Sequence, residues 1–260
     1  MKLNKIVFIL SFLAMTNFYN NDLQAKNIKK ATIQNSANLI RQAEEKIDEL
    51  EYDKAISLLK AVPKNDKLSS KSSLLLGKLY ISTFAIDIKE VKDDLEEDID
   101  YLKDYLNKAS IELKKVSPQE KELKENLNLL DTMYGLYYHQ VAIRQIYYGE
   151  YEESIKNLDL AKKYVPDEVR VYSDKAVAYA KLGDFNNALK NSYIALDDNP
   201  HSSYANYSMA RIYSLMEDNQ SAFKSLKKSI ILDEELKEQA MDEEDFIDIM
   251  DSEEFDKLVY

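Results

Sequence analysis

The chain has 260 residues and a formal net charge of −12, with only four Gly, four Pro and no Cys. So few turn-forming residues argue against an all-β fold and a glycine-rich phosphate loop, and the lack of Cys excludes disulfides, a cysteine nucleophile and a lipid-modified cysteine. No cluster of Lys and Arg is present to neutralise phosphates, so nucleic acid is not an expected partner.

The N-terminal residues 1–25 are predicted to be a signal peptide. Lys2 and Lys5 form a small positive region before an apolar run over 6–15. This run is shorter than the ~20 residues needed to cross a bilayer but suits the apolar region of an export signal. Ala25 provides a small residue for cleavage. The alternatives are a buried N-terminal helix and a retained segment that anchors the chain in a membrane. The sequence therefore predicts an exported, periplasmic or envelope-associated protein.

The next part of the chain is predicted to be helical after a short flexible stretch. Residues 26–35 are polar and basic and are expected to be a flexible lead-in, and residues 36–134 are expected to form degenerate helical hairpins. Helical periodicity begins at Leu39, and Pro63 ends a second helix. A third helix is predicted over 67–86.

An acidic insertion follows within this degenerate part. From 88 to 109, apolar residues recur at helical spacing through the stretch DIKEVKDDLEEDID, which predicts one amphipathic helix with a solvated acidic side. The alternative is an acidic face that binds a cation or a partner. Pro118 is expected to close this helix, and residues 121–148 then form one long helix or two in line.

Three consecutive windows of 34 residues, 135–168, 169–202 and 203–236, carry small residues at the same positions. They are Ala142, Ala176 and Ala210 at position eight, Ser154, Ala188 and Ala222 at position twenty, and Ala161, Ala195 and Ser229 at position twenty-seven. Small side chains at the first two positions allow two antiparallel helices to approach closely, and those at the third allow the next hairpin to stack. Each window is therefore expected to be one helical hairpin.

The rare glycines and prolines mark the ends of these helices. Gly149 and Gly183 stand 34 residues apart, as do Pro166 and Pro200. We expect each Gly to end the first helix of a hairpin in a left-handed cap. We expect each Pro to stop the second helix.

The middle window carries the densest signature. Its signature residues are Tyr172, Ala176, Tyr179, Gly183, Phe185, Ala188, Leu189, Ala195 and Pro200. This pattern resembles the tetratricopeptide repeat family, of the exported bacterial type. The resemblance implies an all-α fold, a right-handed α-solenoid of stacked antiparallel helical hairpins. The chain departs from the family pattern at Ser192 and Gln145, where an aromatic residue is preferred, and at Glu217 and Glu234, which replace the Gly and the final Pro.

Residues 237–260 are predicted to form acidic capping helices that seal the last hairpin. Their apolar face would come from Phe246, Ile249, Phe255 and Leu258. A calcium-binding loop is the alternative for such an acidic segment, but its central Gly and alternating ligands are missing. A polar terminal cap agrees with the need of repeat proteins for a soluble end.

No catalytic residue, metal site or cofactor is predicted, and the chain is not expected to be an enzyme. The only histidines, His139 and His201, are 62 residues apart and offer no zinc-binding spacing. Carboxylates are abundant, but their abundance alone indicates surface charge.

In the family that the chain resembles, ligands contact a groove lined by the first helix of each hairpin. The resemblance places these residues in the groove: His139, Ile143, Tyr147, Arg170, Ser173, Val177, Lys181, Tyr204, Tyr207 and Arg211. Tyr and Arg are typical of interfaces, so the expected ligand is a peptide or protein segment with an acidic end. The alternatives are a groove filled by the chain's own N-terminal helices and rings that are only core. The family's clamp for C-terminal carboxylates is absent, since Asp174 would repel a carboxylate.

The sequence thus predicts a non-enzymatic interaction scaffold or assembly factor of the cell envelope that binds another protein or peptide. The first alternative is a chaperone-like module that keeps an exported client soluble, and the second is an enzyme or small-ligand receptor. Membrane contact is expected only through a retained N-terminal segment. The sequence leaves the oligomeric state and the identity of the partner open.

Overall fold

The computed structural model describes residues 36–91 and 94–260, and within them the chain is helical, with no strand. The predicted signal peptide and lead-in, 1–25 and 26–35, lie outside the described residues. The helices are α1 (Ser36–Asp48), α2 (Tyr52–Lys60), α3 (Ser69–Val91), α4 (Asp100–Leu113), α5 (Leu123–Tyr147), α6 (Tyr151–Tyr164), α7 (Val169–Lys181), α8 (Phe185–Asp198), α9 (Ser203–Leu215), α10 (Asn219–Leu232), α11 (Leu236–Asp242), a 3₁₀ turn (Glu244–Phe246) and α12 (Glu253–Val259). Among these described segments, none is both long and apolar enough to cross a membrane.

The chain divides into two compact units. The first contains the described residues up to Thr83 together with Tyr105–Asn128, and the second contains the described residues of Phe84–Asp104 together with Leu129–Tyr260. Helices α3, α4 and α5 each contribute residues to both units.

In the first unit, helices α3 and α4 are in close contact at Gly77. A Cβ atom at this position would lie 2.6 Å from Cδ2 of Leu113, a distance at which the leucine would have to move. Nearby, the Ser72 hydroxyl donates a hydrogen bond of 2.7 Å to the carbonyl of Leu59, which ties α3 to the end of α2. A small residue thus sets the packing distance here, although no regular repeat is evident in this part of the sequence.

Residues 94–99 of the acidic insertion, in the second unit, are not helical, so the prediction of one helix over 88–109 is wrong. Helix α3 ends at Val91 and α4 begins at Asp100. The Asp94 carboxylate accepts hydrogen bonds of 3.1 and 3.2 Å from the backbone N–H groups two and three residues ahead, and Asp98 accepts one of 2.9 Å from the N–H of Asp100. Aspartate side chains that bind backbone groups in this way compete with the helix.

The side chain of Arg144 on α5 binds backbone carbonyl groups of the acidic insertion. Its Nη2 donates to the carbonyls of Val91 and Asp94, both at 2.6 Å, and its Nε donates to the carbonyl of Glu97 at 3.2 Å. Burial lowers the pKa of Arg144, and the charges of Asp94 and Glu97 oppose that shift. The acidic stretch is therefore held by its backbone carbonyls, which face one buried cation.

The second unit contains the predicted hairpins α5–α6, α7–α8 and α9–α10. The nine small residues at positions eight, twenty and twenty-seven are all buried, with relative exposures between 0% and 1%. Ala176 and Ala188 share one apolar cluster, and Ala210 and Ala222 share another. The close crossing of paired helices at small residues, and the predicted α-solenoid class, are confirmed in this unit.

The first of these hairpins departs from the repeat in two ways. Helix α5 begins at Leu123, before the window that starts at Gly135, so it is longer than one repeat provides. At the position where the family prefers an aromatic ring, the Gln145 side-chain carbonyl accepts a hydrogen bond of 2.9 Å from Asn157 on α6. A polar contact thus replaces ring packing at this crossing.

The helix caps confirm the predicted roles of Gly and Pro. Gly149 and Gly183 have φ values of +77° and +76°, the left-handed conformation in which Gly is least strained. Helices α6 and α8 end two residues before Pro166 and Pro200. The third hairpin uses the same cap without the Gly, since Glu217 has a φ of +61°.

The C-terminal residues pack against the last hairpin. Phe246, Ile249 and Phe255 are buried in one cluster with residues of α9 and α10, and Leu258 packs partly buried against it. The side chain of Ser252 accepts a hydrogen bond of 3.2 Å from the N–H of Phe255 and so caps α12.

We expect Glu217→Gly to stabilise the protein by about 1 kcal/mol, because a non-glycine residue pays a steric penalty in the left-handed region. The matched change is Gly183→Ala at the same repeat position, which should destabilise by a similar amount. No atom lies within 4 Å of a Cβ built at Gly183, so its effect reports backbone strain alone. Urea unfolding of both variants measures the difference, and a less stable Glu217→Gly would refute the cap assignment.

Candidate functional site

The ten residues predicted to line a groove lie on α5, α7 and α9, the first helices of the three hairpins. Tyr147 and Arg170 are exposed, whereas Ile143, Lys181, Tyr204 and Arg211 are half-buried and His139, Ser173, Val177 and Tyr207 are buried. Only part of the predicted set is therefore open to another molecule.

A row of hydrogen bonds joins the three first helices. Nε2 of His139 on α5 lies 2.5 Å from Oδ2 of Asp174 on α7, and the hydroxyl of Tyr204 on α9 donates to Oδ1 of the same carboxylate. Burial, followed by the negative charge of Asp174, raises the pKa of Tyr204 well above its usual value. We call His139, Asp174 and Tyr204 the polar row.

Arg170 connects the polar row to the surface. Its guanidinium lies over the ring of Tyr204, 5.3 Å from the ring centroid, which is a favourable cation–π distance. Since Arg170 is exposed, this side chain offers an accessible cation directly beside the buried row.

Further along α7 and α9, two cations bind the chain's own C-terminal segment, residues 243–246. Lys181 forms an ion pair with Oδ1 of Asp245, and Nε of Arg211 lies 2.8 Å from Oδ2 of Asp245 and 3.1 Å from Oε2 of Glu243. The side chain of Asp245 is only 1% exposed. We call Lys181 and Arg211 the basic pair.

An aromatic contact accompanies these ion pairs. The rings of Tyr207 and Phe246 meet edge to face, with centroids 5.6 Å apart and an interplanar angle of 87°, which is a preferred arrangement for aromatic pairs. Both side chains are fully buried. The C-terminal segment thus binds this face through a carboxylate followed directly by an aromatic ring.

Burial shifts the pKa values of the residues in this cluster. It raises the pKa of Glu243, against the opposing influence of Arg211. For Arg211, burial lowers the pKa, but the carboxylates of Glu243 and Asp245 outweigh it and raise the pKa overall. Burial also raises the pKa of Tyr207. Arg211 therefore stays charged, and its charge is matched by buried carboxylates.

Two residues expected to be free for a partner, Tyr207 and Arg211, are instead engaged within the chain. Replacing both with Ala would therefore disturb the C-terminal cap as well as any partner surface. One predicted alternative was a groove filled by the chain's own N-terminal helices. At this end of the face, the residues that contact the predicted set come from the C-terminal segment instead.

Sequence reasoning missed two features of this face. Asp174 was noted only because it would repel a carboxylate, whereas in the structure it accepts hydrogen bonds from two neighbouring helices. Tyr148 is 57% exposed and packs edge to face on Tyr147, with centroids 5.2 Å apart. The aromatic doublet at the end of α5 was a visible signal for such a pair.

No group of three His, Cys, Asp or Glu side chains in 36–91 and 94–260 is arranged to hold a metal ion. A surface cavity of about 450 Å³ on α8 is lined by Tyr193, Ile194, Leu196 and Asp197. It contributes one carboxylate, and acid–base chemistry with two carboxyl groups is not assembled there.

Several solved helical structures are similar to this chain. A crystal structure of MamA is 20% identical over 75% of this chain and 96% of its own length, with a TM-score of 0.38, and a second MamA structure, from AMB-1, is 22% identical over 76% and 92%, with a TM-score of 0.41. The TPR2AB domain of yeast Sti1 in complex with pHSP90 is 23% identical over 92% of this chain and 90% of its own, with a TM-score of 0.38. At such values the hairpin packing described above is the firmer basis for the fold.

No protein-family model matches the sequence, and no curated protein matches it significantly.

We expect Tyr204→Phe to destabilise the protein by about 1–3 kcal/mol, because it leaves one oxygen of the buried Asp174 carboxylate without its hydrogen-bond donor. The matched change is Tyr260→Phe, which removes a hydroxyl from a residue that is 88% exposed and should have little effect. Urea unfolding at neutral pH distinguishes the two. Equal stability of Tyr204→Phe and the wild type would contradict the polar row.

Proposed function

We propose that this protein is a non-enzymatic scaffold that binds a segment of another polypeptide on the face formed by α5, α7 and α9. One observation carries the proposal. This face already binds a polypeptide segment, residues 243–246 of the chain itself, through the basic pair and through Tyr207. A surface that binds one acidic segment has the chemistry to bind another.

The open part of the same face has the composition of an interface. Tyr147 and Tyr148 are 56% and 57% exposed, and Arg170 presents its charge beside the polar row. Tyr and Arg contribute most often to binding energy at protein interfaces. Because Tyr147 lies on α5 and Arg170 lies on α7, we expect a ligand that touches both to be an extended or helical peptide.

The proposal also names the cellular compartment in which the protein binds its partner. The basic start and short apolar run at the N-terminus are typical of an export signal, so the scaffold would act in the periplasm or at the cell envelope. An assembly factor there needs a stable and specific partner. We take this as the main hypothesis.

A chaperone-like role is the second candidate, and exposed apolar side chains favour it. Tyr193, Ile231 and Ile247 are 57%, 74% and 70% exposed. In this second proposal, these side chains would contact the apolar stretches that unfolded clients expose to water. Saturable binding of one partner supports the scaffold, and protection of many unfolded clients supports the chaperone.

Photo-crosslinking in the native cell tests the proposal. A photoreactive amino acid replaces Tyr147 or Arg170 on the open face, and Lys190, exposed on α8, is the matched control. We expect the same polypeptide to be attached at both face positions and not at Lys190, and to be recovered from the envelope or periplasmic fraction. Absence of any adduct at the face positions, or equal labelling at Lys190, would refute the binding face.

A further inference from the structure

We infer that the basic pair and Tyr207 form a subsite for a partner segment in which a carboxylate is followed directly by an aromatic residue, and that Asp245 and Phe246 occupy this subsite in competition. The inference rests on the proposed function and names the chemistry of the ligand. It also predicts that the chain regulates its own binding face.

The two contacts come from consecutive residues of the segment. Asp245 meets both cations, with 2.8 Å between its Oδ2 and Nε of Arg211, while the next residue, Phe246, places its ring against Tyr207. A carboxylate alone would leave the aromatic contact unmade. An aromatic residue alone would leave two partly buried cations unpaired, which is strongly unfavourable.

A terminal cap does not need buried charges. The side chains of Lys181, Arg211, Glu243 and Asp245 are only 21%, 17%, 14% and 1% exposed. Apolar residues of similar size usually stabilise such a position as well as an ion cluster does, whereas a buried cluster selects which groups can pair there. The cluster therefore indicates selection of a ligand rather than simple closure of the repeat.

The present occupant leaves polar atoms unsatisfied. In the part of the chain that the structure describes, the buried hydroxyl of Tyr207 has no hydrogen-bond partner, and Oδ1 of Asp245 has an ion pair with Lys181 but no well-aligned hydrogen bond. Each unsatisfied buried group is costly. A partner segment that also brings an acceptor to the Tyr207 hydroxyl would fit this subsite better.

Charge also favours release of the segment. Residues 233–260 contain thirteen acidic residues against two lysines. Glu244 and Asp248, which flank the bound pair, are exposed. Like charges concentrated in one short stretch repel each other when it is packed, so the bound state of this segment is opposed by its own composition.

A binding assay with the full chain tests this inference. The probe is a fluorescent peptide with the sequence of residues 241–250, and the matched peptide carries Asn in place of Asp at the position of Asp245. The wild-type chain should bind the probe weakly, because a tethered segment competes at an effective concentration in the millimolar range. The Asp245→Asn chain, with its own segment weakened, should bind the probe at least ten-fold more tightly.

The controls separate recognition of the peptide's carboxylate from non-specific binding. The Asn-containing peptide should not bind the Asp245→Asn chain, and Arg211→Gln in that background should abolish binding of the probe. Equal binding of the two peptides would overturn the inference. So would the absence of saturable binding to an Asp245→Asn chain with native circular dichroism.

A second measurement covers the case in which Asp245→Asn does not fold. Millimolar unlabelled probe peptide is added to the wild-type chain, and backbone hydrogen exchange is followed in residues 243–250. Exchange should increase as the peptide displaces the segment, and unchanged exchange would overturn the inference. The crosslinking at Tyr147 and Arg170 is independent of this subsite, so failure there refutes the proposed function and failure here refutes only the ligand chemistry.

Discussion

The close approach of paired helices at small residues is the constraint on which the second unit depends. The alanines and serines at the three repeat positions have essentially no exposed surface. Separating the two helices of a hairpin would therefore leave a void, and a larger side chain at any of these positions would cause strain. Recurrence of this crossing in three hairpins places α5, α7 and α9 side by side. The polar row exists because of that placement, since its members come from three different helices.

Much of this fold could be predicted because its determinants are local. Gly183 and Pro200 each act on the backbone of the helix that precedes them, α7 and α8 respectively. Ala176 allows close packing against the other helix of its own hairpin. The acidic insertion could not be predicted in the same way. Its helical periodicity is real, but its conformation is decided by hydrogen bonds that the Asp94 carboxylate accepts from backbone N–H groups and by the distant contact with Arg144. Periodicity describes only the sequence near a residue, whereas Arg144 lies 50 residues from Asp94.

The candidate site could be predicted only in part for the same reason. The residues taken from family positions lie on the first helices, and of these Arg170 and Tyr147 are exposed. They could not show which side chains pair across the face. The partner of Arg211, Asp245, lies 34 residues later, in a segment with so many carboxylates that no single one stands out. The partner of His139 is Asp174, a residue that the sequence marks only as one that would repel a carboxylate ligand.

On the face formed by α5, α7 and α9, the basic pair and Tyr207 contact the chain's own segment, residues 243–246. The most direct test is a double-mutant cycle for Arg211→Gln and Asp245→Asn, with the free energy of unfolding measured by urea. The structure predicts a favourable coupling of about 1 kcal/mol or more between these two residues. Additive effects, with no coupling beyond experimental error, would contradict the ion pair by which this face holds the C-terminal segment.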